Sequence, residues 1–212
     1  MPLVRKPATP ANPAPLSPAA DAARILTALK SPNPDERWAA ARDAVGLDGG
    51  AAAMAAALRV EAQPHVREAL FTGLARIGTP ESAEQLVAFL RSDESQLRTG
   101  ALDVLHTMPE CVRVLLPRLL ADPDSDVRIL CCELARALPG AEAAAVLSAL
   151  LEREPHANVC AAAVDVLAEV GSPEACPVLA RCAARFPNHA FLAFAIKVAT
   201  DRITSQSARA RD

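Results

Sequence analysis

Tyrosine is missing from these 212 residues, and the aromatic set is five Phe and one Trp, 3% of the chain. So few rings exclude a nucleic-acid surface built on stacking platforms and a core built on large aromatic side chains. No apolar run reaches the roughly 18 residues that a membrane helix needs. The first twenty residues hold six prolines and no apolar stretch of the secretory-signal kind. The six cysteines (Cys111, Cys131, Cys132, Cys160, Cys176 and Cys182) show neither CxxC nor zinc-ribbon spacing. All fall inside helical patterns of a reduced, cytoplasmic protein, and Cys132 and Cys160, in core columns, with Cys131 beside them, read as small buried residues. The four histidines, at 65, 106, 156 and 189, form no metal-ligand pattern. No Gly-rich phosphate loop or nucleophile–base spacing is present, so no catalytic residue, metal or cofactor is assigned.

What is present is a 51% hydrophobic chain rich in Ala, Leu and Val. Such residues suit many thin helix–helix contacts better than one thick core. The net charge is −3, unevenly placed: residues 1–20 contribute +2 and residues 202–212 another +2, which leaves −7 on residues 21–201. A body of that sign is not a phosphate-binding surface, and no nucleic acid is expected as a partner.

One short stretch recurs. Taking Arg128 of Asp124-Ser125-Asp126-Val127-Arg128 as an anchor, its counterparts are Arg37, Arg67, Arg98, Cys160 and Leu192, about 31 residues apart, the length of one helical hairpin repeat. The column one before the anchor holds Glu36, Val66, Leu97, Val127, Val159 and Phe191. Columns four, seven and ten after it hold mostly apolar residues, such as Leu74, Leu105 and Leu167, and trace one buried helix stripe. Four before the anchor stand Asn33, Gln63, Glu94, Asp124, His156 and Asn188, mostly residues able to cap a helix. An earlier apolar helix precedes each anchor, marked for example by Leu116, Leu119 and Leu120. The expectation is an all-α chain of six hairpins over residues 21–203. A Pro/Ala-rich disordered arm (1–20) precedes it and a frayed tail (204–212) follows it.

Asp122-Pro123-Asp124-Ser125-Asp126-Val127-Arg128, with the links Ile77-Gly78-Thr79-Pro80-Glu81 and Val170-Gly171-Ser172-Pro173-Glu174, resembles the HEAT-like repeat family in its short-repeat, bilin-lyase-type form. The resemblance implies a right-handed α-solenoid of about six HEAT-like repeats and an ion pair from each anchor Arg to its neighbour. Cys160 and Leu192 break that pattern. The HEAT-like iron hydroxylase that modifies a translation factor uses adjacent His and Glu residues, and no such pair occurs here. The alternation of Asp122, Asp124 and Asp126 lacks the Gly and bidentate Glu of a calcium loop, so capping is its expected role.

Function is sought on the exposed side of the second helices, five residues after each anchor: Arg42, Thr72, Asp103, Glu133, Asp165 and Lys197. Asp103, Glu133 and Asp165 form an acidic stripe that Glu68 and Glu169 extend. Arg42 and Lys197 stand at its ends. His106 and Arg136 lie beside it, His106 at i, i+3 from Asp103, and Trp38 is a candidate aromatic anchor. The expected function is a non-enzymatic scaffold or adaptor of a bacterial cytoplasm, a monomer or weak oligomer. It would bind a basic helix or peptide of a protein partner in a concave groove. A bilin-lyase-like chromophore- or cofactor-handling factor is the alternative that the resemblance implies. A nucleic-acid-binding HEAT-like protein ranks below both.

Overall fold

The computed structural model describes residues 18–209. These contain twelve α-helices and no strand. They pair as α1 (Pro18–Ala28) with α2 (Pro34–Asp43), α3 (Gly50–Leu58) with α4 (Pro64–Ile77), and α5 (Pro80–Val87) with α6 (Ser95–His106). Then come α7 (Pro109–Leu119) with α8 (Ser125–Leu134), α9 (Gly140–Leu151) with α10 (Ala157–Val170), and α11 (Cys176–Arg185) with α12 (Ala190–Arg209). The second helices stack in sequence, α2 on α4, α4 on α6, α6 on α8, α8 on α10 and α10 on α12. The first helices form the other layer, α3 on α5, α5 on α7 and α9 on α11. This is an α-solenoid of six hairpins.

Local chemistry sets the helix ends. Proline opens α2, α4, α5 and α7, where its missing N–H has no intrahelical partner to lose. Asn33 and Asp124 cap α2 and α8 by accepting from Asp35 N (3.0 Å) and Asp126 N (2.9 Å). Gly78 closes α4 at φ 61°, a left-handed conformation that costs glycine little, with its N–H on Leu74 O. The arm lies outside the described residues up to Ser17, but Pro18, Ala19 and Ala20 form the first turn of α1. The expected frayed tail is helical as far as Arg209, and the hydroxyls of Thr204 and Ser205 return to the carbonyls of Thr200 and Asp201 at 2.9 and 2.7 Å.

The core runs as a ribbon between the layers. Leu74, Leu105, Ala135, Leu167 and Ala199, the column seven after the anchor, are fully buried. Each leucine there contributes about 1.5–3 kcal/mol. Cys131, Cys132, Cys160 and Cys182 are buried, as small core residues should be, and burial pushes the Cys131 thiol up to about 12. Phe191 departs from its column. With Leu192 in the anchor position, Leu192 itself turns inward with Ile196, Ala199 and Ile203. Phe191, about 100° round the helix, is left in solvent.

A polar ladder ties the repeats together. Arg37, Arg98 and Arg128 each donate to the carbonyl six residues back, at 2.8, 2.6 and 2.7 Å, and Arg67 does the same on Glu61. The side chain at that position (Ser31, Glu61, Ser92, Asp122 or Glu154) accepts the amide two residues on, at 2.8–3.2 Å. Where that side chain is Glu, the preceding repeat's anchor clasps it. Arg37 binds Glu61 at 2.6 and 2.9 Å, and Arg128 binds Glu154 at 2.9 and 2.8 Å. The bridge expected for Arg128 is therefore present, and it is buried. Asp122 pairs with Arg91 instead, while Arg67 reaches Glu94 at 2.9 Å. At Cys160 the missing guanidinium comes from Arg185, which donates to Leu151 O (2.6 Å) and Glu154 O (3.1 Å).

Candidate binding groove on the second helices

Two adjoining recesses open on the layer of second helices. The larger, about 800 Å³, lies between α4 and α6. Phe71, Ala75, Gly100 and Val104 make its floor, and Glu68, Thr72, Arg76, Thr99 and Asp103 stand around it. It exists because Gly100 has no side chain: a Cβ there would lie 2.5 and 2.6 Å from Phe71 ring atoms. The ring leans across α6 and packs edge-on against Phe89, centroids 6.5 Å apart. The smaller, about 390 Å³, lies between α2 and α4 and is lined by Trp38, Arg42, His65, Glu68, Thr72 and Arg76. Glu68, Thr72 and Arg76 on α4 form the wall that the two recesses share.

The residues singled out in the sequence are placed in three groups. Asp103 and Glu68 line the large recess, and Trp38, Arg42 and Glu68 the small one. The Arg42 guanidinium stacks over Trp38 at 4.7 Å from the ring centre. Glu133 and Asp165 lie farther along and are held by Arg136, which binds Glu133 at 2.9 Å, Asp165 at 2.8 Å and also Glu169. Burial works against the Arg136 charge, but Glu133, Glu169 and Asp165 outweigh it and raise its pKa above the ordinary value. Lys197, at the far end, pairs with Asp201 on its own helix at 3.2 Å.

The acidic row is thus continuous in sequence but not in charge. Its α8 and α10 members are internally neutralised. Among the described residues Glu68 and Asp103 have no cationic partner, and Arg42 and Arg76 no carboxylate. The expected contact of His106 with Asp103 is not made. His106 spans to the next repeat and its Nε2 meets Glu133 O at 2.9 Å, which requires Nε2 to carry the proton because a carbonyl only accepts. The Asp122–Asp126 stretch does cap, as expected, and no cluster of metal-ligating side chains occurs among the described residues.

Arg76, Phe71 and Gly100 were missed. Phe71 sits in a core column, and its half-exposure depends on a glycine one repeat away. The usable signal was that Gly100 is the only glycine in its column, opposite a ring. The capping side chains Glu61 and Glu154 were missed as well, although a polar residue stands six before the anchor in five of the six repeats.

Among solved structures, the chain is similar to an archaeal HEAT-like repeats protein from Thermococcus onnurineus, at 16% identity and a TM-score of 0.45, covering 88% of each chain. It is also similar to computationally designed armadillo repeat proteins for modular peptide recognition, at 17% identity and a TM-score of 0.38, covering 86% of this chain and 99% of the other. A third similarity is to the complex of CpcE and CpcF of phycocyanin lyase from Nostoc sp., at 17% identity and a TM-score of 0.37, covering 95% and 100%. No curated protein matches the sequence. The family model describing HEAT repeats matches residues 22–106 and 112–196, which takes in the hairpin ladder from α1 into α12. With its six hairpins and its ladder of anchor arginines, the chain belongs to the HEAT-repeat family.

Proposed function

We propose that this protein is a non-enzymatic scaffold or adaptor that holds a helix or peptide of a partner protein across its second helices. One observation carries the proposal: a groove with an apolar floor, bounded by charged side chains that the fold leaves unpaired, on a protein that elsewhere ties its repeats together with ion pairs. An apolar side chain entering over Phe71 and Gly100 supplies about 1.5–3 kcal/mol. Charges at the rim set register more than affinity.

Thr99 is exposed and lines the groove, so it offers a way in. A photo-crosslinking amino acid at Thr99 captures the partner in cells, and mass spectrometry identifies it. Affinity is then measured with purified partner and purified protein. Emission from Trp38, the only tryptophan and half-exposed beside the groove, reports occupancy in the wild type, and titration calorimetry, which an added tryptophan does not disturb, compares it with the variant. Thr99→Trp fills the large recess and is expected to weaken binding tenfold or more, about 1.4 kcal/mol. Equal affinity of wild type and Thr99→Trp, with an unchanged circular dichroism spectrum, overturns the proposal.

A further inference from the structure

The charges around the groove have an order along the solenoid. At the α2–α4 recess, Arg42 and Arg76 outnumber the single carboxylate of Glu68, so that end is positive. The α4–α6 recess has the apolar floor. On the α6 rim of that same recess stands the open carboxylate of Asp103. Past Asp103 the surface closes electrostatically, because Arg136 takes up Glu133, Asp165 and Glu169. Packed helices stand about 8–10 Å apart, and an extended chain advances about 3.3 Å per residue. One step from recess to recess therefore corresponds to about three residues of an extended partner.

We infer that the groove takes an extended partner segment running along the solenoid across α2, α4 and α6. The segment presents an acidic side chain to Arg42 and Arg76, about three residues on an apolar side chain to the Phe71–Gly100 floor, and close beside that a basic side chain to Asp103 on the rim of the same recess. The inference rests on the proposed binding function and sharpens it. A uniformly basic segment suits only the Asp103 end and meets two guanidiniums at the other. Trp38 adds a flat apolar wall to the acid subsite, where Arg42 is held against the ring and preorganised for a carboxylate. The order is the same for either chain direction, so the segment reads acid-x-x-apolar with a base close after the apolar residue, or its reverse.

A random dodecapeptide display library selected on the full chain tests this, with Thr99→Trp as the counter-selection. Peptides bound by wild type and lost on Thr99→Trp are expected to carry the three-part pattern. For a synthetic peptide of that pattern, Arg42→Glu with Arg76→Glu is expected to weaken binding at least tenfold. Replacing the peptide's acid by Lys restores it. Asp103→Lys is expected to do the same at the base. All these protein positions are exposed, so the substitutions leave the core intact. Selected peptides that need the groove but ignore both charge reversals refute the charge order and leave the binding function standing. The absence of any Thr99→Trp-sensitive peptide refutes both.

Discussion

Arg128→Met separates the ladder's contribution to stability from that of the core. Arg128 and Glu154 are the most deeply buried ion pair described, with side chains 8% and 3% exposed. The guanidinium binds both carboxylate oxygens and also donates to the carbonyls of Asp122 and Pro123, at 2.7 and 3.3 Å. Methionine keeps the apolar stem but removes every donor. Glu154 is then a buried carboxylate with the His156 amide alone, at 3.0 Å. Stranding one member of such a pair costs about 3–5 kcal/mol, a hundredfold or greater rise in the unfolded fraction. Adding Glu154→Gln removes the stranded charge and is expected to recover at least half of that loss. The pH dependence follows from Glu154. Burial pulls its pKa up, but the Arg128 hydrogen bonds and the His156 amide outweigh burial and hold it below the ordinary carboxylate range. A depressed pKa contributes stability above the unfolded value, about 4.3, and loses it as pH falls through the folded value. In Arg128→Met burial acts with far less opposition and raises the Glu154 pKa, so the gap from wild type is full at pH 7 and narrows as pH falls through the variant's raised value towards the wild type's depressed one. Urea unfolding followed by circular dichroism at pH 7 and pH 3.5 measures both. Hydrogen exchange at the seam between α8 and α10 checks that the loss is local to neighbouring repeats. A cost under about 1 kcal/mol at pH 7, or a gap that does not change with pH, refutes the reasoning.

Gly100→Ala sets a Cβ within 2.6 Å of the Phe71 ring. It is expected to cost about 1–3 kcal/mol in thermal melts by forcing the ring aside, and an unchanged melting temperature contradicts the packing described. Arg185→Met withdraws the guanidinium that serves the empty anchor position at Cys160. A loss of about 1 kcal/mol is expected, with faster amide exchange where α9 runs into α10, and unchanged exchange there counts against the substitution of one arginine for another. Ala75→Arg places a guanidinium at the position equivalent to Arg136, two repeats earlier. It is expected to pair with Asp103 and cover the groove floor, abolishing Thr99→Trp-sensitive peptide binding while changing stability by less than about 1 kcal/mol; retained binding contradicts the proposed site.

The hairpins were legible because each depends on features within one repeat length. The column seven after the anchor is apolar and buried, Asn33 and Asp124 cap, and the Pro and Gly punctuation falls at helix ends. The bridge from Arg128 was implied by the resemblance to the repeat family, and its acid, Glu154, was not singled out. Two kinds of feature were not legible. Phe191 depends on the identity of the anchor beside it, so a column average misplaced it. The groove depends on a pair, Phe71 and Gly100, whose members occupy different columns of different repeats. Aligning the repeats compares like positions and does not register contacts between unlike ones.

The same limit explains the charge of the groove. The column five after the anchor lists Asp103, Glu133 and Asp165 as equals, yet only Asp103 is open. The difference lies three residues on, eight after the anchor, where the repeats carry Ala75, His106 and Arg136. Arg136 is long enough to span its own Glu133 and the next repeat's Asp165 and Glu169. His106 is shorter and stops at the Glu133 carbonyl, fixing the seam between α6 and α8 without neutralising a carboxylate. Ala75 is too short to reach across, so Asp103 is left without a cationic partner and the floor beside Phe71 stays uncovered. At these three seams the column therefore separates one closed by charge, one closed by a hydrogen bond and one left open. At the α4–α6 seam a glycine has also made room, and the groove there needs both conditions: an arginine at 75 closes it by charge, and a side chain at 100 closes it by volume.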